Sequence, residues 1–157
     1  MSRSQFQVQN ESGRTNISVS GVLDEDTDFS KVNLPPEGEV HFDLSQVKSI
    51  NSCGIRDWIK WLSTTPEVSV VFHQCPKVIV DQINMVQGFL PERGKVDSFF
   101  VPYFSEETEE EKVVLFRAGT EYQDNGQVIA PEIQDSSGNP MEMDIVESKY
   151  FKFLQKK

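Results

Sequence analysis

The chain has 157 residues, 37% of them hydrophobic, and a formal net charge of −10. That length suits one compact domain, or a domain of about 100 residues with an appendage. The acidic balance argues against general binding to nucleic acid or an anionic membrane, though it allows a protein partner with a basic patch, and there is no run of about 20 apolar residues to span a bilayer.

In chain order, Phe6–Val8 is predicted as a first strand and Asn10–Arg14, with Gly13, as a hairpin turn. Thr15–Val22 alternates, placing Ile17, Val19 and Gly21 on one face. Asp24–Asp28 reads as a solvated acidic loop able to cap a short helix at Phe29–Val32. Pro35, Pro36 and Gly38 form a turn, Glu39–Leu44 is the next strand, and a short apolar strand ends at Ile50. Beyond Gly54, the residues Ile55, Trp58, Ile59 and Leu62 recur at helical spacing, Trp61 widens the stripe, and Arg56, Asp57 and Lys60 take the other side. Thr64, Thr65 and Pro66 stop this helix, and Val68–Phe72 reads as a buried central strand. A second helix starts at Pro76. Its stripe is Val78, Ile79, Ile83 and Val86, extended by Met85, Phe89 and Leu90. Val96–Phe104 is a further strand. A hairpin followed by repeated strand–helix units predicts a small α/β domain with parallel strands that ends near residue 104.

The tail differs in style. Ser105–Glu111 is a charged link, Lys112–Ala118 a strand, and Asn125-Gly126 a tight turn. Val128–Ile133 is expected to pair with the preceding strand. Gln134–Pro140 forms a second turn, and Val146–Leu154 a short helix or strand before Lys156 and Lys157.

The stretch Val47–Leu62, VKSINSCGIRDWIKWL, sets two small nucleophile-bearing residues, Ser52 and Cys53, at a helix start. Ser52 or Asn51 can cap the unsatisfied N–H groups there, the same groups would accept a phosphate, and Gly54 lets the backbone turn closely. A hydrolase elbow would need glycine two residues before the nucleophile, where Ile50 and Asn51 stand. A helix start can lower a thiol pKa, so redox reactivity at Cys53 stays open, without a C-x-x-C motif. Two cysteines, Cys53 and Cys75, are too few for a disulfide framework and predict a cytoplasmic protein with free thiols. The leading MSRSQFQVQNESG lacks the apolar centre of a signal peptide. His41 and His73 offer little material for a histidine metal site, and no phosphate-binding glycine motif occurs.

The segment D-L-S-Q-V-K-S-I-N-S-C-G-I resembles the signature of STAS domains, the fold of bacterial anti-sigma factor antagonists. Asp43, Leu44, Ser45 and Val47 match the family's strand, and Ile50–Ile55 its switch loop. The resemblance covers about residues 4 to 104. It implies an α/β fold, a STAS-like mixed sheet with helices packed on it. It also implies that Ser52 is the phosphate acceptor of a kinase that doubles as an anti-sigma factor. Asn51, Cys53 and Gly54 would complete the switch loop, and Asp24, Ile55 and Arg56 would face the partner. The dephosphorylated form would bind and the phosphorylated form release. Two positions depart from the pattern: Asn51 replaces the Asp before the acceptor, and Cys53 replaces the second Ser.

Residues 105–157 resemble a zinc ribbon without its ligands, a small β-hairpin extension with two knuckle-like turns. Ser105, Thr108, Gln134 and Ser137 stand at the four thiolate positions, and such side chains do not hold zinc as cysteines do. An ordinary hairpin extension is the plainer reading of the same residues. The expected function is a non-enzymatic regulatory interaction module with no cofactor and no metal, binding neither nucleic acid nor membrane. The alternatives are a phosphorylation-independent adaptor, and an enzyme using Ser52 or Cys53, which would require His41 or His73 beside them.

Overall fold

A computed structural model describes residues 4–155; Lys156 and Lys157 of the tail, and the first three residues of the leading segment, lie outside the described residues. The chain opens with an antiparallel hairpin of β1 (Gln5–Glu11) and β2 (Arg14–Leu23), turned at Gly13, whose φ of 73° suits glycine. A 3-10 turn at Phe29–Lys31, capped by the Asp28 side chain on the Ser30 N–H, leads to β3 (Gly38–Ile50). The helix α1 (Ser52–Ser63), β4 (Val68–His73), α2 (Lys77–Met85) and β5 (Gly94–Val96) follow. These strands form one mixed sheet in the order β1-β2-β3-β4-β5, antiparallel at β1–β2 and parallel elsewhere. The protein is therefore of the mixed α/β class.

The expected strand Glu39–Leu44 and the apolar piece ending at Ile50 are one strand. Sequence alternation lost it because β3 bulges. Its pairing with β2 shifts register between Ser18 and Ser20 and again between Gly21 and Val22. Inward positions consequently run Val40, Phe42, Leu44 and then Val47, which breaks period two. On β2 the alternation holds, burying Thr15, Ile17, Val19, Gly21 and Leu23.

Aromatic packing seats α1 on this sheet. Trp58 lies 5.0 Å, centroid to centroid, from Phe42, 5.8 Å from Phe72 and 5.5 Å from Phe89. Each of these side chains is fully buried, and burying one contributes roughly 1.5–3 kcal/mol. Both indoles are also satisfied: Trp58 Nε1 donates to the Phe89 carbonyl and Trp61 Nε1 to the Val32 carbonyl. On α2 the inward face is Ile79, Val80 and Ile83. Met85, expected to extend the stripe, is 71% exposed, and the helix ends there.

The expected strand Val96–Phe104 divides at Asp97. Its start, β5, closes the first sheet, while β6 (Ser98–Phe104) is the middle strand of a second sheet, β7-β6-β8, with β7 (Glu111–Arg117) and β8 (Glu142–Met143). Asp97 breaks the run because its N–H still donates to Phe72 of the first sheet, while its carbonyl accepts from Ala118 beside the second. Val128–Ile133 does not form the expected strand against β7; Val128 makes only an isolated bridge to Tyr122. The C-terminal segment is helical, α3 (Glu147–Tyr150) followed by a 3-10 turn at Lys152–Gln155. Phe99 lies at the centre of the tail core, with ring contacts to Phe116, Tyr122, Tyr150, Phe151 and Phe153. Among the described residues, no helix is long and apolar enough to cross a membrane.

Candidate functional site

The end of β3 delivers Asn51 to the start of α1 in an extended conformation, which makes it the N-cap: its Oδ1 accepts from the Gly54 N–H at 2.9 Å. The other end of the same amide reaches a different loop, Nδ2 donating to Glu25 Oε1 at 2.9 Å. That hydrogen bond holds the Glu25 carboxyl below its ordinary range. The 24–28 loop is shaped to offer Glu25. Asp24 Oδ1 accepts from the Asp26 N–H, and the buried Thr27 hydroxyl accepts from the Asp24 N–H. An acidic solvated loop was expected here, and its tie to Asn51 was not. The Asp-x-x-Thr spacing of Asp24 and Thr27 is the signal for its internal turn.

Gly54 is buried where α1 meets β2. An added Cβ would sit 2.3 Å from the Leu23 carbonyl oxygen, and the Asn51 N–H donates to that same carbonyl. The need for glycine is close approach, as expected. Ser52, the first residue of a twelve-residue helix, is exposed, and among the described residues its hydroxyl makes no hydrogen bond. Cys53 is half-buried. Of the expected partner-facing residues, Arg56 is exposed and pairs with its neighbour Asp57 at 3.5 Å, while Ile55 and Asp24 are half-buried. The loop thus brings Asn51, Ser52 and the 24–26 carboxylates to one end of the sheet. Asp24, Glu25 and Asp26 place carboxylate oxygens within 4.8 Å of one another.

The histidines do not serve this site. His41 lies on the face of β3 opposite Val40 and Phe42. Its ring engages His73, Nδ1 to Nε2 at 2.7 Å, and Glu39 at 2.8 Å, whereas a nucleophile would need a base at hydrogen-bond distance. Cys75 is fully buried, and burial pushes its thiol well above the ordinary range, so it is a packing residue.

In the tail, two turns converge on one carboxylate. Asp135 Oδ2 accepts from the Ser105 hydroxyl at 2.6 Å, the Thr108 hydroxyl at 3.0 Å and Asn139 Nδ2 at 3.2 Å. Its Oδ1 accepts from the backbone N–H groups of Ser137 and Asn139. The Ser105 bond leads the donors that hold this carboxyl far below the usual Asp range. Beside it Glu110 accepts from the Ser136 hydroxyl and N–H, which lowers its own pKa in the same way. Three of the four positions compared with zinc ligands, Ser105, Thr108 and Ser137, therefore touch Asp135. At the fourth, the Gln134 carbonyl accepts from Lys112 Nζ. Asp135 itself, one residue from a compared position, was not singled out by sequence.

Neither protein-family models nor curated proteins yield a match to this chain.

Proposed function

We propose that the protein is a non-enzymatic regulatory interaction module of the STAS type, with Ser52 as a phosphate acceptor that switches partner binding. The observation that carries this reading is the Ser52 hydroxyl: exposed, without a hydrogen bond among the described residues, and at the first position of a long helix directly after a central parallel strand. Helix N–H groups there favour an added phosphate, which brings about −1.5 to −2 of charge. The same charge would arise one residue from Asn51, whose amide holds Glu25. Repulsion between phosphate and the Asp24, Glu25 and Asp26 carboxylates then works against the bridge between the loops. Phosphorylation in this reading loosens the 24–28 loop at the face a partner would contact, and the natural partner is a basic surface on a kinase or anti-sigma-like regulator.

The Asp135 hub supports the companion reading of residues 105–157 as a ribbon whose metal has been replaced. A carboxylate that accepts from both turns supplies the cross-link that a cation otherwise provides.

A second reading, a phosphorylation-independent adaptor, is favoured by Asn51 itself. Both ends of its amide are spent on structural bonds, whereas the family pattern has an acid there. Affinity capture from source cells with wild type, Ser52→Ala and Ser52→Asp separates the two. The switch predicts a partner kept by Ala and lost by Asp, with phosphate on Ser52 by mass spectrometry. Equal capture by all three leaves only the adaptor.

A further inference from the structure

The first sheet ends on one side at β1, and the pairing of β1 with β2 decides which of its backbone groups are free. Only Ser12 and Gly13 separate Glu11 from Arg14, so these two residues close the hairpin as a hydrogen-bonded pair. Alternation then makes Gln9, Gln7 and Gln5 the residues bonded to β2, opposite Asn16, Ser18 and Ser20. The backbone N–H and C=O groups of Phe6, Val8 and Asn10 point the other way, and among the described residues none of them meets a partner.

The other sheet edges are guarded. At the far side of the first sheet, β5 has three residues and carries Lys95; in the second sheet β8 has two residues, and β7 carries Glu111, Lys112 and Arg117. Short length and charge keep an edge from adding a strand. The strand β1 has neither protection. It runs seven residues with no register shift against β2 and contains no proline, and residues 5–10 carry no charged side chain in a chain of net charge −10.

We infer that β1 pairs antiparallel with β1 of a second copy, about a two-fold axis at Gln7, and so joins the two first sheets into one.

The register follows from which groups are free. Outward-facing residues must meet outward-facing residues, and an axis at Gln7 pairs all of residues 4–10 in this way. Ser4 meets the partner's Asn10 and Phe6 meets the partner's Val8, each twice by symmetry. That closes about eight backbone hydrogen bonds, two for each of four pairs. An axis at Val8 would instead set Phe6 against the partner's Asn10 and bring Glu11 into the contact.

The side chains suit the same register. Phe6 packs on Phe29 and Trp61, with ring centroids 5.7 and 5.8 Å away, and two residues on, the same face presents Val8, 42% exposed. Each Val8 lies across from the partner's Phe6 and extends that cluster, a β-branched side chain against an aromatic one. On the opposite face Gln7 meets the partner's Gln7, and Gln5 the partner's Gln9. A side-chain amide both donates and accepts, so such pairs are self-complementary.

Charge selects the same arrangement. Asp24, Asp26 and Asp28 border the cleft beside residues 4–8, with Lys31 among them. Antiparallel pairing sets each acidic loop beside the neutral Asn10 end of the partner strand. The two Ser4 ends then stand about 20 Å apart along the strands, beyond the screening length of about 8 Å at physiological salt. Parallel pairing would bring the two acidic loops together. Glu11, the one charge on β1, falls outside the paired residues.

The test is sedimentation equilibrium of the full chain up to about 1 mM, because a single strand pair is a small interface of the weak class. A monomer–dimer equilibrium is expected. Val8→Lys, at an exposed position, should weaken it at least about tenfold while circular dichroism shows the fold retained. Oxidation in a Cys53→Ser background reads the register, with Cys75 buried out of reach. Gln7 sits on the axis in a non-hydrogen-bonded pair, with Cα atoms about 4.5 Å apart, so Gln7→Cys should cross-link two chains. Gln5→Cys, about 14 Å from its own symmetry mate, should not. A wild type that stays monomeric throughout overturns the proposal and leaves the edge to a segment of another protein. So does a dimer that Val8→Lys does not weaken, or a Gln7→Cys that cross-links no faster than Gln5→Cys.

Discussion

Asn51 joins the start of α1 to Glu25: one amide accepts from Gly54 and donates to the Glu25 carboxylate, both at 2.9 Å. An aspartate at this position would keep the cap and lose the donor, setting two carboxylates against each other. This gives a physical reason for Asn in a place where the resembling family has Asp. Asn51→Ala is expected to cost about 1 kcal/mol of stability from the lost cap, read by urea unfolding. In Asn51→Asp the helix stays capped, but the Glu25 pKa should rise from its lowered value, as followed by carboxyl NMR. An unmoved Glu25 titration would show that the bridge is absent in solution.

Gly54→Ala should destabilise the fold although alanine is the better helix former. The new methyl would lie 2.3 Å from the Leu23 carbonyl oxygen and 3.1 Å from Ile50 Cγ1, and the backbone must shift to admit it. A loss of about 1–3 kcal/mol is expected, measured by thermal or denaturant unfolding. A gain in stability would mean that α1 sits farther from β2 than described.

Asp135 predicts an acid-sensitive tail. Its folded-state pKa is depressed, led by the Ser105 hydroxyl bond, so its contribution is present above the unfolded value of about 3.9. The contribution is lost as pH falls from there through the folded value. Asp135→Asn should be less stable than wild type at neutral pH, and the gap should close on acidification below about pH 4. Unfolding curves of both proteins over a pH series check this, and a pH-independent gap would assign the effect to packing.

Arg93 is a second, half-buried organiser, reached only through the fold. Its Nη2 donates to the Leu62 carbonyl at 2.6 Å and the Thr65 carbonyl at 3.1 Å, and its Nε to the Val68 carbonyl at 2.5 Å. The guanidinium fork thus ties the β4–β5 side of the sheet to the end of α1. Arg93→Lys keeps the charge but cannot reach three carbonyls at once, and should cost about 1–3 kcal/mol. Chemical denaturation equal to wild type would show that water replaces the fork without loss.

Wherever one short segment decides the outcome, the sequence was legible. The β2 alternation, the Trp58 and Leu62 stripe of α1, the apolar run of β4 and a cap at Asn51 or Ser52 all follow from local periodicity and end chemistry; the structure chose Asn51. The full length of β3 was not legible, because its bulges move Val47 out of phase with Leu44. Nor was the division of Val96–Phe104, where an unbroken apolar run hides a change of sheet at Asp97. Within the candidate loop, residue types showed that Asn51 could cap and Gly54 could allow close approach, but not that Glu25 lies across from them.

By itself, the sequence determined the α/β class, the strand–helix order of the first part, and a serine at a helix start. Each of these rests on interactions within a few residues. Tertiary structure alone decided which distant polar groups meet: Asn51 with Glu25, His41 with His73, and Ser105 and Thr108 with Asp135. Such pairs leave no periodic trace in the chain. Their geometry comes from sheet register and loop closure, set by the burial of Trp58, Phe42, Phe72 and Phe99 elsewhere in the molecule.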